Sequence, residues 1–313
     1  TVAIQLAAFK LGGIALLFGQ VAGQSVGTAS LGRPALVNPG FREVTWRGLR
    51  EAAVRYWRFP IFSTWGGFLN SAGAQIPVLF LASFFSPSVA GLYLLTQRVV
   101  FGPIGIVQQA ISQILFSHAQ DHRKKEYPRL INNVHKNLLL ISLPIGCLVF
   151  LYSPYLFSVV FGEIWLDAGY FARTLSLMLA FQIVSSPLTV VFHSINRSDL
   201  TLYYNMVLFL LRISGLFIGY SIFKSSSSSI VWFSMLGSIG YLIFSIGTTT
   251  AGGMSFKQVF INMAQAVLTA TVVMFIPILS FYLIAEPFVS FGISLVITAI
   301  YFFYLFMRSQ RYA

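Results

Sequence analysis

Nine stretches of this chain are apolar over the length a helix needs to cross a bilayer, about 20 residues. They lie at roughly 3–31, 60–85, 88–117, 137–156, 169–193, 201–223, 229–249, 258–285 and 287–307. A backbone in hydrocarbon must satisfy its N–H and C=O groups within its own segment, so runs of this length are helices. The expected fold is therefore all-α: a polytopic membrane protein with about nine transmembrane helices. Composition excludes a water-soluble alternative. Charged residues are 9% of the chain, against about 25% in an ordinary globular protein, too few to cover a soluble surface.

The net charge of +12 invites a nucleic-acid reading, but the cations sit between the apolar runs rather than in one patch. Arg33, Arg42, Arg47, Arg50, Arg55 and Arg58 follow the first span. Arg123, Lys124, Lys125, Arg129 and Lys136 follow the third, Arg197 the fifth, Lys257 the seventh, and Arg308 and Arg311 the ninth. The alternate connections carry Lys224 as their one cation, with Glu163, Asp167 and Glu286. This asymmetry follows the positive-inside rule, so the basic connections and the C-terminus are expected in the cytoplasm. The chain opens on Thr1 with no methionine and no signal sequence, which reads as a piece lacking its N-terminal part. Cys147 is the only cysteine, so no internal disulfide is expected.

The segment "FREVTWRGLREAAVRYWRFP" (41–60) is amphipathic. Arg47, Arg50, Glu51, Arg55 and Arg58 fall on one side of a helix, and Trp46, Leu49, Ala53 and Trp57 mostly on the other. A basic helix with aromatics on its apolar side suits anionic lipid, so 41–58 is expected to lie on the membrane surface. A plain polar connector is the simpler alternative.

Four cations fall within spans: Lys10, Arg98, Arg173 and Arg212. Arg173 is close enough to a span end to snorkel to the interface. Arg98 and Arg212 are ten and eleven residues into their spans, about 15 Å deep at about 1.5 Å per residue. A charge at that depth costs about 2.5–3.5 kcal/mol on insertion scales, so it faces protein or water rather than lipid. Counting by threes and fours from Arg98 reaches Gly102, Gly105, Gln109 and Ser112, and Pro103 should kink the same helix. Asn205 is seven residues before Arg212 and so on its face; Asn70, Gln75 and Gln182 are further polar residues in spans. Such groups serve either a shared polar cavity or interhelical hydrogen bonding. All eight acids, Glu43, Glu51, Asp121, Glu126, Glu163, Asp167, Asp199 and Glu286, lie in loops or at span ends. Buried cations with no acid beside them suit an anionic substrate, and the arginine fork suits phosphate. The expected substrate-binding residues are Arg98, Arg212, Gln109, Asn205, Asn70 and Gln75.

Several motifs point to one family. "GLYLLTQRVVFGPIG" (91–105) resembles the Gly-x-Tyr…Arg…Pro pattern of the polysaccharide repeat-unit flippases, members of the multidrug/oligosaccharidyl-lipid/polysaccharide exporter superfamily. "FGEIWLDAGYFARTLSLM" (161–178) is similar to that family's Gly-x-x-Trp-x-x-Ala segment, "VVFHSINRSDL" (190–200) to a helix end with a basic turn, and 59–93 to the start of its second lobe. The resemblance runs from about 41 to 223. It implies a two-lobed transporter of twelve to fourteen helices. Residues 1–32 would be the last helix of the first lobe, 33–59 the linker, 60–250 a six-helix second lobe, and 251–313 an additional helix pair with its tail. It also implies flipping of undecaprenyl-pyrophosphate-linked oligosaccharide across the bacterial cytoplasmic membrane, with no enzymatic step and no cofactor. Arg98 and Arg212 would contact the pyrophosphate or sugar acids, and polymerase or assembly proteins would be partners.

A lipid II flippase shares this logic. A multidrug exporter of the same superfamily is expected to carry an intramembrane acid. A membrane polymerase or ligase would need longer outer loops. His118 and His122 have metal-ligand spacing, but "HRKKEY" surrounds His122 with cations and no third ligand is evident, so no metal is expected. "NRS" (196–198) matches a glycosylation sequon on the side assigned to the cytoplasm.

Overall fold

The computed structural model describes residues 45–120, 127–195 and 197–310. The expected span 3–31, Lys10 and the loop 121–126 with His122 lie outside the described residues. The chain divides into two units, Thr1–Trp57 and Arg58–Ala313.

In the first unit the described element is α1 (Trp46–Tyr56). Thr45 caps it, its hydroxyl accepting from the Gly48 N–H at 3.2 Å. Arg47 and Glu51 approach to 3.7 Å across one turn. Trp46 is 83% exposed and Trp57 50%.

Every regular element among the described residues of the second unit is a helix. α2 spans Arg58–Phe84. α3 (Pro87–Thr96) passes through a π-turn, Gln97–Phe101, into α4 (Gly102–Gln120). α5 (Tyr127–Phe161) is followed by α6 (Leu166–Leu188) and the short α7 (Val190–Ser194). Then come α8 (Ser198–Phe223), α9 (Ser226–Ala251), α10 (Phe256–Leu283) and α11 (Pro287–Gln310). Among the described residues eight helical segments are long and apolar enough to cross a membrane, and this is a multi-pass membrane protein. Large apolar side chains such as Leu268, Val272 and Phe303 lie exposed on its surface, as a lipid-facing surface requires.

Helix directions follow from who touches whom. Gly66 and Gly73 of α2 face Leu202 and Phe209 of α8, so these two run parallel. Gly215 and Gly219 of α8 press on the backbone at Trp232 and Ser229 of α9, which runs antiparallel. A methyl group on Gly219 would sit 2.5 Å from the Ser229 Cα, so the approach needs glycine. Ser185 and Ser234 hydroxyls donate to the Tyr241 and Thr174 carbonyls at 2.8 and 2.7 Å, tying α6 parallel to α9. Gly169 of α6 lies against Ser153 and Pro154 of antiparallel α5.

Two details differ from the sequence expectation. The span placed at 137–156 is helical from Tyr127 to Phe161. Its polar first turns escape a hydropathy count, yet they are held by packing on α10: Asn262 donates to Asn132 Oδ1 at 2.8 Å and buries His135 beside it. The disturbance at Pro103 takes the form of a π-turn just before it. Pro103 has no N–H for the Val99 carbonyl, and a wider turn at that point accommodates the ring.

Arg173, expected to snorkel to the interface, also repairs a neighbouring helix. Pro154 leaves the Phe150 carbonyl without its usual partner four residues on. Arg173 Nε donates to that carbonyl at 2.8 Å, and Nη2 to the Leu151 carbonyl at 3.1 Å. The rings of Phe150 and Tyr170 flank the guanidinium at 5.8 and 5.5 Å. Pro144 of α5 creates the same problem at Leu140, whose carbonyl accepts from the Tyr301 hydroxyl at 3.3 Å.

Candidate functional site

A polar cavity of about 390 Å³ opens among α2, the α3–α4 π-turn, α6, α8 and α9. Each helix brings residues by its own register. α2 supplies Asn70, Gly73 and Ala74, the π-turn Gln97, Arg98 and Phe101, and α6 Met178 and Gln182. α8 supplies Arg212, and α9 Phe233 and Tyr241.

The two cations are held in opposite ways. Arg98 is exposed and, among the described residues, makes no hydrogen bond or ion pair. Its neighbour Gln97 anchors the π-turn, donating to the Ala74 carbonyl at 2.9 Å. Arg212 is 5% exposed. It donates from Nη2 to the Tyr241 hydroxyl, and its guanidinium carbon is 4.9 Å from the Tyr241 ring centre and 5.8 Å from that of Phe233. Its Nε–H is buried with no partner. Neither arginine meets a carboxylate among the described residues, so the cavity keeps its positive charge.

Of the residues expected in the site, Asn70, Arg98 and Arg212 line this one cavity, together with Gln182. Gln75, Gln109 and Asn205 are not among its lining residues. Gln75 follows Ala74 by about 100° of helix rotation and is exposed. Asn205 packs between α8 and α2, where a Cβ on Gly66 would stand 3.5 Å from its amide nitrogen. Gln109 is exposed, while Gln108 donates to the Gln182 carbonyl at 3.2 Å. A π-turn closes its hydrogen bond one residue later than an α-turn, so counting by threes and fours from Arg98 loses register before it reaches 109. Gln97, Tyr93, Phe233 and Tyr241 were not anticipated. Gln97 and Tyr93 stood inside the quoted 91–105 motif; the two aromatics of α9 gave no signal, because rings are ordinary in a membrane helix.

Behind the π-turn is a second, apolar space of about 460 Å³ between α4 and α5. Val99 and Pro103 line it from one side, Val149 and Phe157 from the other, with Phe291 of α11. The five-residue π-turn thus borders both a cationic cavity and a hydrocarbon-like groove.

The comparisons with known proteins agree with this architecture. Residues 1–169, more than half of the 313-residue chain, match the family described as "Polysaccharide biosynthesis protein". The chain belongs to that family. A similar curated relative is the teichuronic acid biosynthesis protein TuaB of Bacillus subtilis (strain 168), 23% identical over 203 residues. That match covers 63% of this chain and 40% of TuaB. Among solved structures the chain resembles the lipid II flippase MurJ in an inward closed conformation. The TM-score is 0.61 at 15% identity, over 85% of this chain and 56% of MurJ. The chain therefore spans about half the length of the relatives it matches. At that identity the likeness to MurJ is one of fold.

Proposed function

We propose that this chain forms part of a transporter that moves a lipid-linked oligosaccharide bearing a pyrophosphate from one leaflet to the other, the undecaprenyl-pyrophosphate-linked repeat unit of a surface polysaccharide. The observation that carries the reading is Arg98, a permanent charge within a membrane-spanning segment, exposed at a cavity and without an acidic partner among the described residues. A pyrophosphate crossing a bilayer loses its hydration, and fixed cations along the way offset that loss. The apolar groove beside the π-turn suits the lipid's hydrocarbon chain while the head occupies the cavity. Membership of a polysaccharide biosynthesis family supports the repeat unit as cargo, and the fold shared with MurJ keeps lipid II as the second reading. An exporter of organic cations is disfavoured by a cavity that carries two arginines and, among the described residues, no acid.

The full-length protein reconstituted in liposomes separates these readings. Transfer between leaflets is followed for the native repeat-unit lipid and for lipid II. Faster transfer of the repeat-unit lipid is the expected result. Faster transfer of lipid II would move the assignment to the cell-wall precursor, and transfer of neither would remove the flippase reading.

α1 is the second contact we propose, with anionic membrane lipid. Arg47, Arg50 and Arg55 outnumber Glu51 on this helix, and its tryptophans are exposed. A peptide of residues 41–58 should bind vesicles containing phosphatidylglycerol and release as salt shortens the Debye length from about 10 Å at 0.1 M to about 3 Å at 1 M. Equal binding to neutral vesicles, or binding that ignores salt, argues against an electrostatic contact.

A further inference from the structure

Arg212 poses a problem that the cavity's cargo alone does not answer. A buried arginine is ordinarily paired with a carboxylate, because leaving such a charge alone is costly. Here its hydrogen-bond partner is the neutral hydroxyl of Tyr241. The Tyr241 and Phe233 rings lie 4.9 and 5.8 Å from the guanidinium carbon, within cation–π range. Gly73 closes another side, where a Cβ would stand 3.4 Å from Arg212 Nη1. Tyr241 is itself fixed, since its carbonyl accepts from the Ser185 hydroxyl of α6 at 2.8 Å. These contacts orient the guanidinium without cancelling its charge, and they leave the buried Nε–H unpaired. A carboxylate in place of Tyr241 would orient Arg212 equally well but neutralise it.

We infer that Tyr241 is a positioning residue, holding Arg212 as a pre-oriented cation for a phosphate oxygen of the cargo. The inference rests on the pyrophosphate reading of the cavity and adds a division of labour to it. Arg98, exposed on the π-turn, is free to follow an arriving head group. Arg212 is a fixed anion site whose geometry is set before the cargo arrives. Its orienting cost has been met in folding rather than at binding.

The test is a double-mutant cycle on the full-length protein in lipid nanodiscs, reading the affinity for radiolabelled geranyl pyrophosphate. Tyr241→Phe keeps the ring and removes the hydroxyl; it should weaken binding about tenfold, the scale of one hydrogen bond to a charged group. Arg212→Ala should weaken binding at least as much. Added to Arg212→Ala, Tyr241→Phe should cost nothing further, because its effect acts through Arg212. Phe233→Leu, which removes the second ring beside the guanidinium and leaves the Tyr241 hydroxyl in place, should repeat the pattern more weakly and serves if Tyr241→Phe does not fold. Affinity for geraniol, which lacks the pyrophosphate, should be unchanged by any of these variants. Equal losses in both backgrounds, or no loss from Tyr241→Phe, would overturn the positioning role. If Arg212→Ala binds the probe as wild type while Arg98→Ala does not, the inference falls and the cavity reading stands. If neither arginine variant loses affinity, the cavity reading itself is overturned.

Discussion

Arg98→Ala should abolish surface-polysaccharide export in cells whose only copy is the full-length variant, with the protein still present in the membrane at its normal level. The side chain is exposed at the cavity and bonds to nothing among the described residues, so its removal takes away no internal contact. Its removal also relieves a mid-membrane charge worth about 2.5–3.5 kcal/mol on insertion scales, so the variant should fold at least as well as wild type. Loss of export with undiminished protein would thus report on function rather than stability. Arg98→Lys keeps the charge but not the planar fork, and should export partially. Normal export by a stably inserted Arg98→Ala protein would show that the charge has no role in transport.

Arg173→Leu should produce the opposite pattern, a fall in stability with the polar cavity untouched. The substitution removes two hydrogen bonds from a charged donor and leaves the Phe150 carbonyl, already deprived of an N–H by Pro154, without a partner. The expected cost is about 2–3 kcal/mol, read as a lower thermal unfolding midpoint of the purified full-length protein in detergent. Arg173→Lys, with a mobile ammonium that can still reach a carbonyl, should lose less. Replacing Pro154 with alanine in the Arg173→Leu background restores the helical N–H and should recover part of the loss. An unchanged midpoint in Arg173→Leu would mean that water satisfies the Phe150 carbonyl instead.

The contrast between these arginines shows how far local sequence carries. Arg98, Arg173 and Arg212 look alike in hydropathy, each a cation within an apolar run. One is exposed at a cavity, one completes the hydrogen bonding of a neighbouring helix, and one is enclosed by two rings. The depth of each could be counted along its own helix. Its partners lie on other helices, 22 to 29 residues away along the chain for Arg173 and Arg212, and no local pattern points to them.

Eight of the nine expected membrane spans, the all-α class of the described residues and the absence of acids from the spans were legible in the residue order, because hydrocarbon imposes a length and a polarity that any window of sequence reveals. So was the disturbance at Pro103, since a missing N–H is a property of one residue. Which polar groups meet was decided by tertiary structure. The π-turn shifts the register of α4 and leaves Gln109 off the cavity, and the approach of α8 to α2 at Gly66 takes Asn205 into the helix interface. The helical turns around Asn132 and His135 extend beyond the apolar run because α10 packs there. Tyr241 joins the cavity through the position of α9 beside α6 and α8. Facing depends on helix rotation and on the closeness of neighbouring backbones, and both are set by contacts between distant parts of the chain.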